Sequence, residues 1–428
     1  MSYNQVIGDI NMTSNNYIQR SISDHLTKLL KHFPSIVIVG ARQVGKSTLV
    51  KHLFPKYSYV LFDPYEDIEN ARKDPDLFLD NHSLPIILDE IQYAPELISA
   101  IKRRIDKNRK PGQYILTGSQ QWGVMEQMAE SMTGRVVIVQ LEPFSISEIA
   151  EDQFIEPWLE NWLSNPTNLN TKQFNLLTLP KNTYEQLWRG FFPEAQKLPI
   201  DLIQSFHNSY QKTYIERDIR LLTDIENLHQ FTRFIRLSAA FTAQEINYHQ
   251  LGRDIGIANQ TARRWLNLLK EIFEWHEIPA FSMNIIKRIS VKSKGYFTDT
   301  GQVCFSQAIS SPKALGSHPL WGSIFETAVV NEIRKQLSIM PSSCNLYHWR
   351  SHSGAECDLI LERDGKYYPI EIKSKTNPTR GDTRGITSFR KTYPNLSIAE
   401  GLVICLTKKC YKLSENDYAI PWNLGSIL

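Results

Sequence analysis

The chain has 428 residues, room for about three domains at roughly 150 residues each, and its 42% hydrophobic and 22% charged content excludes a wholly disordered polymer. Lys and Arg total 48 against 45 Asp and Glu; the net charge of +3 is too balanced for a polybasic, histone-like protein. There is no run of 18 apolar residues, Met1 to Arg20 is polar, and the five cysteines are odd in number without C-x-x-C spacing. These features predict no membrane-spanning helix, no secretory leader, no disulfide framework or zinc ribbon, and a reducing cytoplasm.

Residues 17–150 alternate between helix and strand patterns. Ile22, Leu26, Leu29 and Leu30 predict a helix over 21–32, and Pro34 ends it before a buried-strand run, Ser35 to Val39. A helix over 47–54, a strand over 59–62, a helix over 67–81 and a strand over 86–88 follow, then a helix over 95–108 and a strand over 114–116. Strands separated by helices of this length predict an α/β domain with a parallel sheet covered on both faces. Asn, Trp, Pro and Thr without a period mark 151–183 as a linker or irregular excursion. Residues 184–310 form a mostly helical region ending in a hairpin (Glu277–Met283 and Lys287–Val291). Residues 311–428 form a small α/β domain with a helix over 321–337 and strands over 345–349, 356–362, 367–373 and 401–406.

Gly40-Ala41-Arg42-Gln43-Val44-Gly45-Lys46-Ser47, followed by Thr48, fits G-x-x-x-x-G-K-[ST] between an apolar strand and a helix. The glycines let successive backbone N–H groups face phosphate oxygens, and the helix adds its positive end. Lys46 brings a charge to the β- and γ-phosphates, and the Ser47 hydroxyl ligates Mg2+. Pro85-Ile86-Ile87-Leu88-Asp89-Glu90 is an apolar strand, expected beside the first, whose end places Asp89 at the metal's water shell and Glu90 as general base for an attacking water. Thr117 or Ser119, at the carboxyl end of the following strand, senses the γ-phosphate or caps a helix. Arg135, after Gly134, is either a finger reaching a neighbouring subunit's γ-phosphate or a salt-bridged surface group. The basic run Lys102, Arg103, Arg104, Lys107, Arg109 and Lys110 is a solvated face or a nucleic-acid contact.

These motifs, with Leu116-Thr117-Gly118-Ser119-Gln120 and Glu142-Pro143-Phe144-Ser145, resemble a prokaryotic AAA-type P-loop ATPase family related to the archaeal ATPases and signal-transduction NTPases. The resemblance covers about residues 17–150 and implies ATP rather than GTP. Arg189-Gly190-Phe191-Phe192-Pro193-Glu194 and Tyr214-Ile215-Glu216-Arg217-Asp218 look like signatures of the domain that accompanies the ATPase, with Phe191 where a second glycine is common.

Leu251 to Leu266 reads as helix, Gly-containing turn and helix. Leu251, Ile255, Ile257, Ala262, Leu266 and Leu269 form its core, and Asn259, Gln260, Thr261, Arg263 and Arg264 face outward. A winged helix-turn-helix presents such a face to the DNA major groove or to a protein partner. Further on, Asp358, twelve intervening residues and Glu371-Ile372-Lys373 give D-x(n)-E-x-K around an Asp364-Gly365 hairpin turn. Asp358 and Glu371 on adjacent strands are placed to share Mg2+, with Glu326 completing the shell and Lys373 orienting a water. Residues 318–410 resemble the PD-(D/E)XK nuclease fold, as a working nuclease or a degenerate, regulatory copy; charges alternating on an exposed strand give the same spacing. His348, His352 and Cys357 suit no standard zinc set and are expected in core or surface roles.

The sequence therefore predicts a cytoplasmic Mg2+-dependent ATPase that couples nucleotide state to a nuclease-like domain and acts on double-stranded DNA. A nucleotide-dependent switch or scaffold binding a protein partner, with an inactive nuclease-like domain, is the alternative. Arg135 acting in trans would make the assembly a homo-oligomer.

Overall fold

The computed structural model describes residues 17–62, 68–119, 132–152, 157–167, 174–215, 228–284, 291–351 and 353–427. Strands β1 (Ser35–Val39), β2 (Ser58–Leu61), β3 (Ile86–Asp89), β4 (Tyr114–Gly118) and β5 (Val136–Gln140) form a parallel sheet in the order β2-β3-β4-β1-β5. Every residue of β1, β3 and β4 is buried, which is why they read as continuous apolar runs rather than alternating ones. Helices Ser23–His32, Lys46–Leu53 and Leu97–Lys107 supply apolar stripes; the last buries Leu97, Ile98, Ile101 and Ile105 and turns Arg103 and Lys107 outward.

Two local expectations change. The helix expected over 67–81 is two helices, Glu69–Lys73 and Pro75–Asp80 (residue 67 lies outside the described residues). Pro75 starts the second, and the Asp74 side chain accepts the Leu77 N–H at 3.0 Å, so the Asp-Pro pair is a stop and a new N-cap. The stretch read as linker carries a helix, Trp158–Ser164, whose Trp158, Leu159, Trp162 and Leu163 are buried, and a strand, β6 (Phe174–Leu176). The indole pair at i,i+4 anchors that helix although its surroundings lack a sustained period.

The middle region begins with helices Thr183–Arg189, Pro193–Lys197 and Ile203–Tyr210. Then come helix Leu228–Ala240, β7 (Gln244–Glu245), helices Tyr248–Ile255 and Asn259–Glu271, β8 (Trp275–Ile278) and β9 (Lys294–Phe297), with the strands antiparallel in the order β7-β9-β8. Gly256, at φ 79°, makes the turn between the two helices. The returning hairpin strand is β9, later than the expected 287–291, of which 287–290 lie outside the described residues.

Helix Trp321–Ile339 leads into β10 (Asn345–Arg350), β11 (Glu356–Arg363), β12 (Lys366–Lys373), β13 (Ser397–Ile398), β14 (Gly401–Cys405), β15 (Tyr411–Ser414) and β16 (Asp417–Pro421). The main path of this mixed sheet is β10-β11-β12-β14-β16-β15, with β13 on β12. Asp364 and Gly365, at φ 53° and 76°, turn β11 into β12 as expected of an Asp-Gly hairpin. Helix Arg384–Thr392, β13, β15 and β16 were not anticipated. Finally β17 (Leu424–Ile427) pairs with β6, stitching this region back to the segment after the first sheet. Among the described residues no helix is long and apolar enough to cross a membrane, and all five cysteines are free thiols.

Candidate functional site

The phosphate loop lies at the carboxyl end of β1. Gly40 has φ 151°, and a Cβ there would lie 2.1 Å from the Leu141 carbonyl oxygen, so glycine alone fits between β1 and the strand exit beside it. Gly45, at φ 93°, starts helix Lys46–Leu53, whose first amides have no partner within the helix. Ala41 and Val44 are buried, Arg42 and Ser47 half-buried, and Gln43 and Thr48 exposed. The buried Lys46 ammonium donates to the loop's own carbonyls, Gly40 at 2.8 Å and Ala41 at 2.9 Å. It thus lies within the loop that a triphosphate tail would enter.

The strand carrying Asp89 is not the direct neighbour of β1, as expected from sequence; β4 lies between them. Asp89 nonetheless reaches the loop. Its carboxylate accepts from the Thr117 and Tyr59 hydroxyls, and Tyr59 is also hydrogen-bonded to Ser47. Burial first, then the bond to Asp89, hold the Tyr59 phenol far above its usual range, so it stays a neutral donor. Ser47 and Asp89 are thereby gathered around one hydroxyl, a hard oxygen donor set that fits Mg2+ when triphosphate oxygens complete it. Glu90 sits at φ 59° just past β3; its N–H donates to Thr117 Oγ1 at 3.0 Å. Its carboxylate accepts from Gln92 Nε2, which also donates to Ser119 Oγ at 3.1 Å. Thr117 thus bonds both the Asp89 carboxylate and the Glu90 N–H. Tyr59 carries no motif and was missed, and Gln92, the end of the Asp89-Glu90-Ile91-Gln92 motif, was given no role; Gln120 lies outside the described residues.

Arg135 precedes β5 at the opposite, amino end of the sheet, about 20 Å along the strand direction from the loop at 3.3 Å per residue. It pairs with Asp106 at 2.6 Å and donates to the Thr133 carbonyl, so it does not reach this chain's own phosphate loop. Much of the basic run is engaged internally: Arg103 with Asp76, Arg104 with Asp80 at 2.6 Å, and Arg109 with the Gly134 carbonyl at 2.8 Å. On helix Asn259–Glu271, Gln260, Arg263 and Arg264 are exposed, and Arg263 lies over the Tyr248 ring at 5.3 Å. Asn259 and Thr261 are half-buried, Asn259 bonding His249.

A second constellation joins Glu326, Asp358, Glu371 and Lys373, as the spacing predicts. Asp358 Oδ2 accepts from the Ile372 N–H at 2.8 Å and from Lys373 Nζ at 3.2 Å, while Lys373 also meets Glu371 at 2.5 Å. The sequence reading missed Lys294. From β9, its buried ammonium reaches Glu326 at 2.6 Å, Glu356 at 3.3 Å and Asp358 at 3.7 Å. Burial works against charge on Asp358, but Lys294 and then Lys373 hold its carboxyl below the usual range. Burial, then repulsion from Asp358, pushes Glu371 up to about 9, and burial lifts Glu326 to about 7. The residues do not fit a metal as arranged: two ammoniums occupy the carboxylate oxygens, and among the described residues no three His, Cys, Asp or Glu side chains are placed to hold an ion. In this arrangement Glu326, Asp358 and Glu371 hold ammonium groups in place of the expected ion. His348 and Cys357 are buried core residues, and His352 lies outside the described residues.

Between the two constellations lies a buried junction. Arg20 Nη1 donates to the Val44 carbonyl of the phosphate loop at 2.8 Å, and Nη2 to the Glu142 carbonyl at 2.6 Å. The same guanidinium pairs with Glu148 at 3.1 Å and lies over the Phe144 ring at 4.9 Å. The Phe144 N–H donates to the Phe191 carbonyl, joining two of the signature segments. Helix Trp321–Ile339 lands on the same spot: Lys335 Nζ donates to the Phe144 carbonyl at 2.7 Å, Glu332 accepts the Ile146 N–H at 2.9 Å, and Arg334 pairs with Glu142 at 2.9 Å. A cleft of about 510 Å3 beside this junction includes Arg20, Glu148, Trp158 and Lys335 in its lining but none of residues 40–48. Of the 214–218 signature, residues 216–218 lie outside the described residues.

Residues 32–150 match the AAA domain family, and residues 180–313 and 321–424 each match a domain of unknown function (DUF8612 and DUF4143). Uncharacterized proteins of Mycobacterium tuberculosis (Rv2008c) and Mycobacterium bovis (Mb2031c) are each 25% identical over 404 residues, which is 94% of this chain and 83% of theirs. Among solved structures, the Walker-type ATPase PABY2304 of Pyrococcus abyssi aligns with 68% of this chain and 96% of its own, at 16% identity and a TM-score of 0.40. The RuvB Holliday junction branch migration motor of Thermotoga maritima aligns with 64% and 95%, at 13% identity and a TM-score of 0.30. The region that matches the AAA domain family, 32–150, is the one that carries the phosphate loop and the parallel sheet.

Proposed function

We propose that this chain is a Mg2+-dependent ATPase that uses ATP binding and hydrolysis to move its C-terminal half, with double-stranded DNA as the macromolecule acted on. Lys46 turns from its own loop carbonyls to the β- and γ-phosphates, Ser47 and Asp89 hold Mg2+, and Glu90, released from Gln92, polarises the attacking water. Mg2+, when bound, neutralises charge on the phosphates. Arg135 completes the site of a neighbouring copy in a homo-oligomer; its distance from this chain's own loop supports action in trans, and its pairing with Asp106 supports the alternative, a salt-bridged surface group.

The observation that carries this reading is the Arg20 junction. One buried guanidinium touches both the phosphate loop and the segment on which Glu332, Arg334 and Lys335 are seated. A loop that tightens around phosphate pulls on a packed, charged contact, which favours one discrete arrangement of helix Trp321–Ile339 over another. Hydrogen exchange tests it: a non-hydrolysable ATP analogue with Mg2+ should change protection in residues 321–339 of wild type and leave Lys46→Ala unchanged. Identical exchange in both proteins refutes the coupling.

We divide the chain into an ATPase domain over 1–150, a connecting segment over 151–183, a winged-helix region over 184–310 and a nuclease-like domain over 311–428. The order helix, β7, helix, helix, β8, β9 supports the winged-helix reading, and exposed Gln260, Arg263 and Arg264 support DNA as its partner. A helix, a hairpin and Asp358, Glu371 and Lys373 on adjoining strands support the PD-(D/E)XK-like reading. A second reading, a nucleotide switch or scaffold with a catalytically inert C-terminal sheet, is favoured by the ammonium-filled carboxylates. Plasmid incubated with Mg2+ and ATP separates the two: nicking by wild type and none by Asp358→Ala supports cleavage, and equal background supports the scaffold.

A further inference from the structure

The carboxylates of the C-terminal sheet come from separate elements: Glu326 from helix Trp321–Ile339, Glu356 and Asp358 from β11, and Glu371 from β12. Lys294 comes from β9, in the three-stranded sheet that β7 and β8 complete. Its ammonium reaches Glu326, Glu356 and Asp358 together, and the Tyr296 hydroxyl from the same strand donates to Glu326 at 2.9 Å. Helix Arg384–Thr392 closes the other side: a Cβ on Gly385 would lie 2.0 Å from Glu371 Oε1 and 1.8 Å from the Glu356 carbonyl oxygen. A buried cation with three carboxylate partners fills the electrostatic demand that a divalent ion meets in a metal site of hard oxygen ligands.

We propose that Lys294 is the resident cation of this cluster: the carboxylates form a socket for a lysine of the preceding region, and a divalent ion enters only when β9 withdraws that lysine. The inference rests on the nuclease-like reading of Asp358, Glu371 and Lys373 and adds its regulation. Lys294 and metal are mutually exclusive, so the position of the β7-β9-β8 sheet sets whether the C-terminal site can load. Such a latch ties two regions together by charge while holding the site empty of metal.

The experiment is a Mn2+ titration of the full chain without nucleotide, read by electron paramagnetic resonance of free Mn2+ and by thermal unfolding. Wild type and Asp358→Asn should bind Mn2+ alike, with no site lost in the variant. Lys294→Met should unfold at a lower temperature in chelator. It should gain one Mn2+ site that wild type lacks, with a Mn2+-dependent rise in midpoint that Lys294→Met/Asp358→Asn loses. Wild type binding a Mn2+ ion that Asp358→Asn loses overturns the latch and leaves the nuclease-like reading standing. A folded Lys294→Met chain that gains no Mn2+ site overturns both. Should Lys294→Met fail to fold, Lys294→Gln/Glu326→Gln, which leaves neither member of the closest pair charged, should recover a cooperative transition. A double variant no more stable than the single one shows that Lys294 is not balanced by this cluster, and overturns the latch.

Discussion

The two charged constellations of this chain solve opposite problems. At the phosphate loop, backbone amides and Lys46 form a positive cradle whose lysine rests on carbonyls of its own loop, contacts that a triphosphate can replace. In the C-terminal sheet, Glu326, Glu356, Asp358 and Glu371 are met by Lys294 and Lys373 of the same chain. The first leaves its demand to a ligand; the second fills it from within. Substitutions at the first should therefore cost rate, and at the second stability.

The largest expected effect is on rate. Glu90→Gln should lower ATP hydrolysis by about 10²–10⁴-fold, the usual range for a general base, while ATP binding persists and the unfolding midpoint moves little. Single-turnover phosphate release and calorimetric titration check this; hydrolysis at the wild-type rate would remove Glu90 from the chemistry. Lys294→Met should instead cost about 3–5 kcal/mol in urea unfolding, because buried carboxylates lose their counter-ion. A cost near zero would erase the contrast between the two sites.

A smaller effect is pH-dependent. Burial first, and then Arg334, hold His276 well below the usual 6.5, with Nε2 bonded to Asn331 Oδ1 at 2.7 Å. The folded imidazole is neutral, whereas the unfolded one takes a proton near pH 6.5, so the unfolded state binds more protons as pH falls. The contribution of His276 is thus fully present above about pH 6.5 and declines below it. Compared at pH 7.5 and 5.5, the stability advantage of wild type over His276→Gln should shrink at the lower pH; a constant or growing difference contradicts the neutral assignment. The smallest effect belongs to the solvated helix. Arg263→Ala/Arg264→Ala should weaken DNA binding evenly across sequences and lower the salt slope by about 2, near 0.9 per phosphate contact. An unchanged slope points to a protein partner for that face.

Legibility followed the range of the contacts. The phosphate loop was readable because its geometry is local: an apolar strand, a positive-φ glycine and a helix start lie within 20 residues. The β11–β12 hairpin was readable for the same reason, since alternation and Asp364-Gly365 fix its register. Arg20 was not, because its partners Val44 and Glu142 stand 24 and 122 positions away and no motif announces a buried arginine. Lys294 was hidden likewise: it lies 62 positions from Glu356, just past the hairpin expected over 277–291. The metal assignment of Glu326, Asp358 and Glu371 left out their ammonium partner at this point. Spacing shows that carboxylates converge, but it is silent about a cation arriving from another region.

The pairing of β17 with β6 has a consequence for biosynthesis. Leu424 sits opposite Leu176, a closure of roughly 250 residues whose entropy cost grows only slowly with length. On the ribosome, however, β6 waits with an open hydrogen-bonding edge until nearly all that lies between has emerged. Nascent chains interrupted before position 424 should expose this edge, an invitation to chaperones and to intermolecular sheet growth.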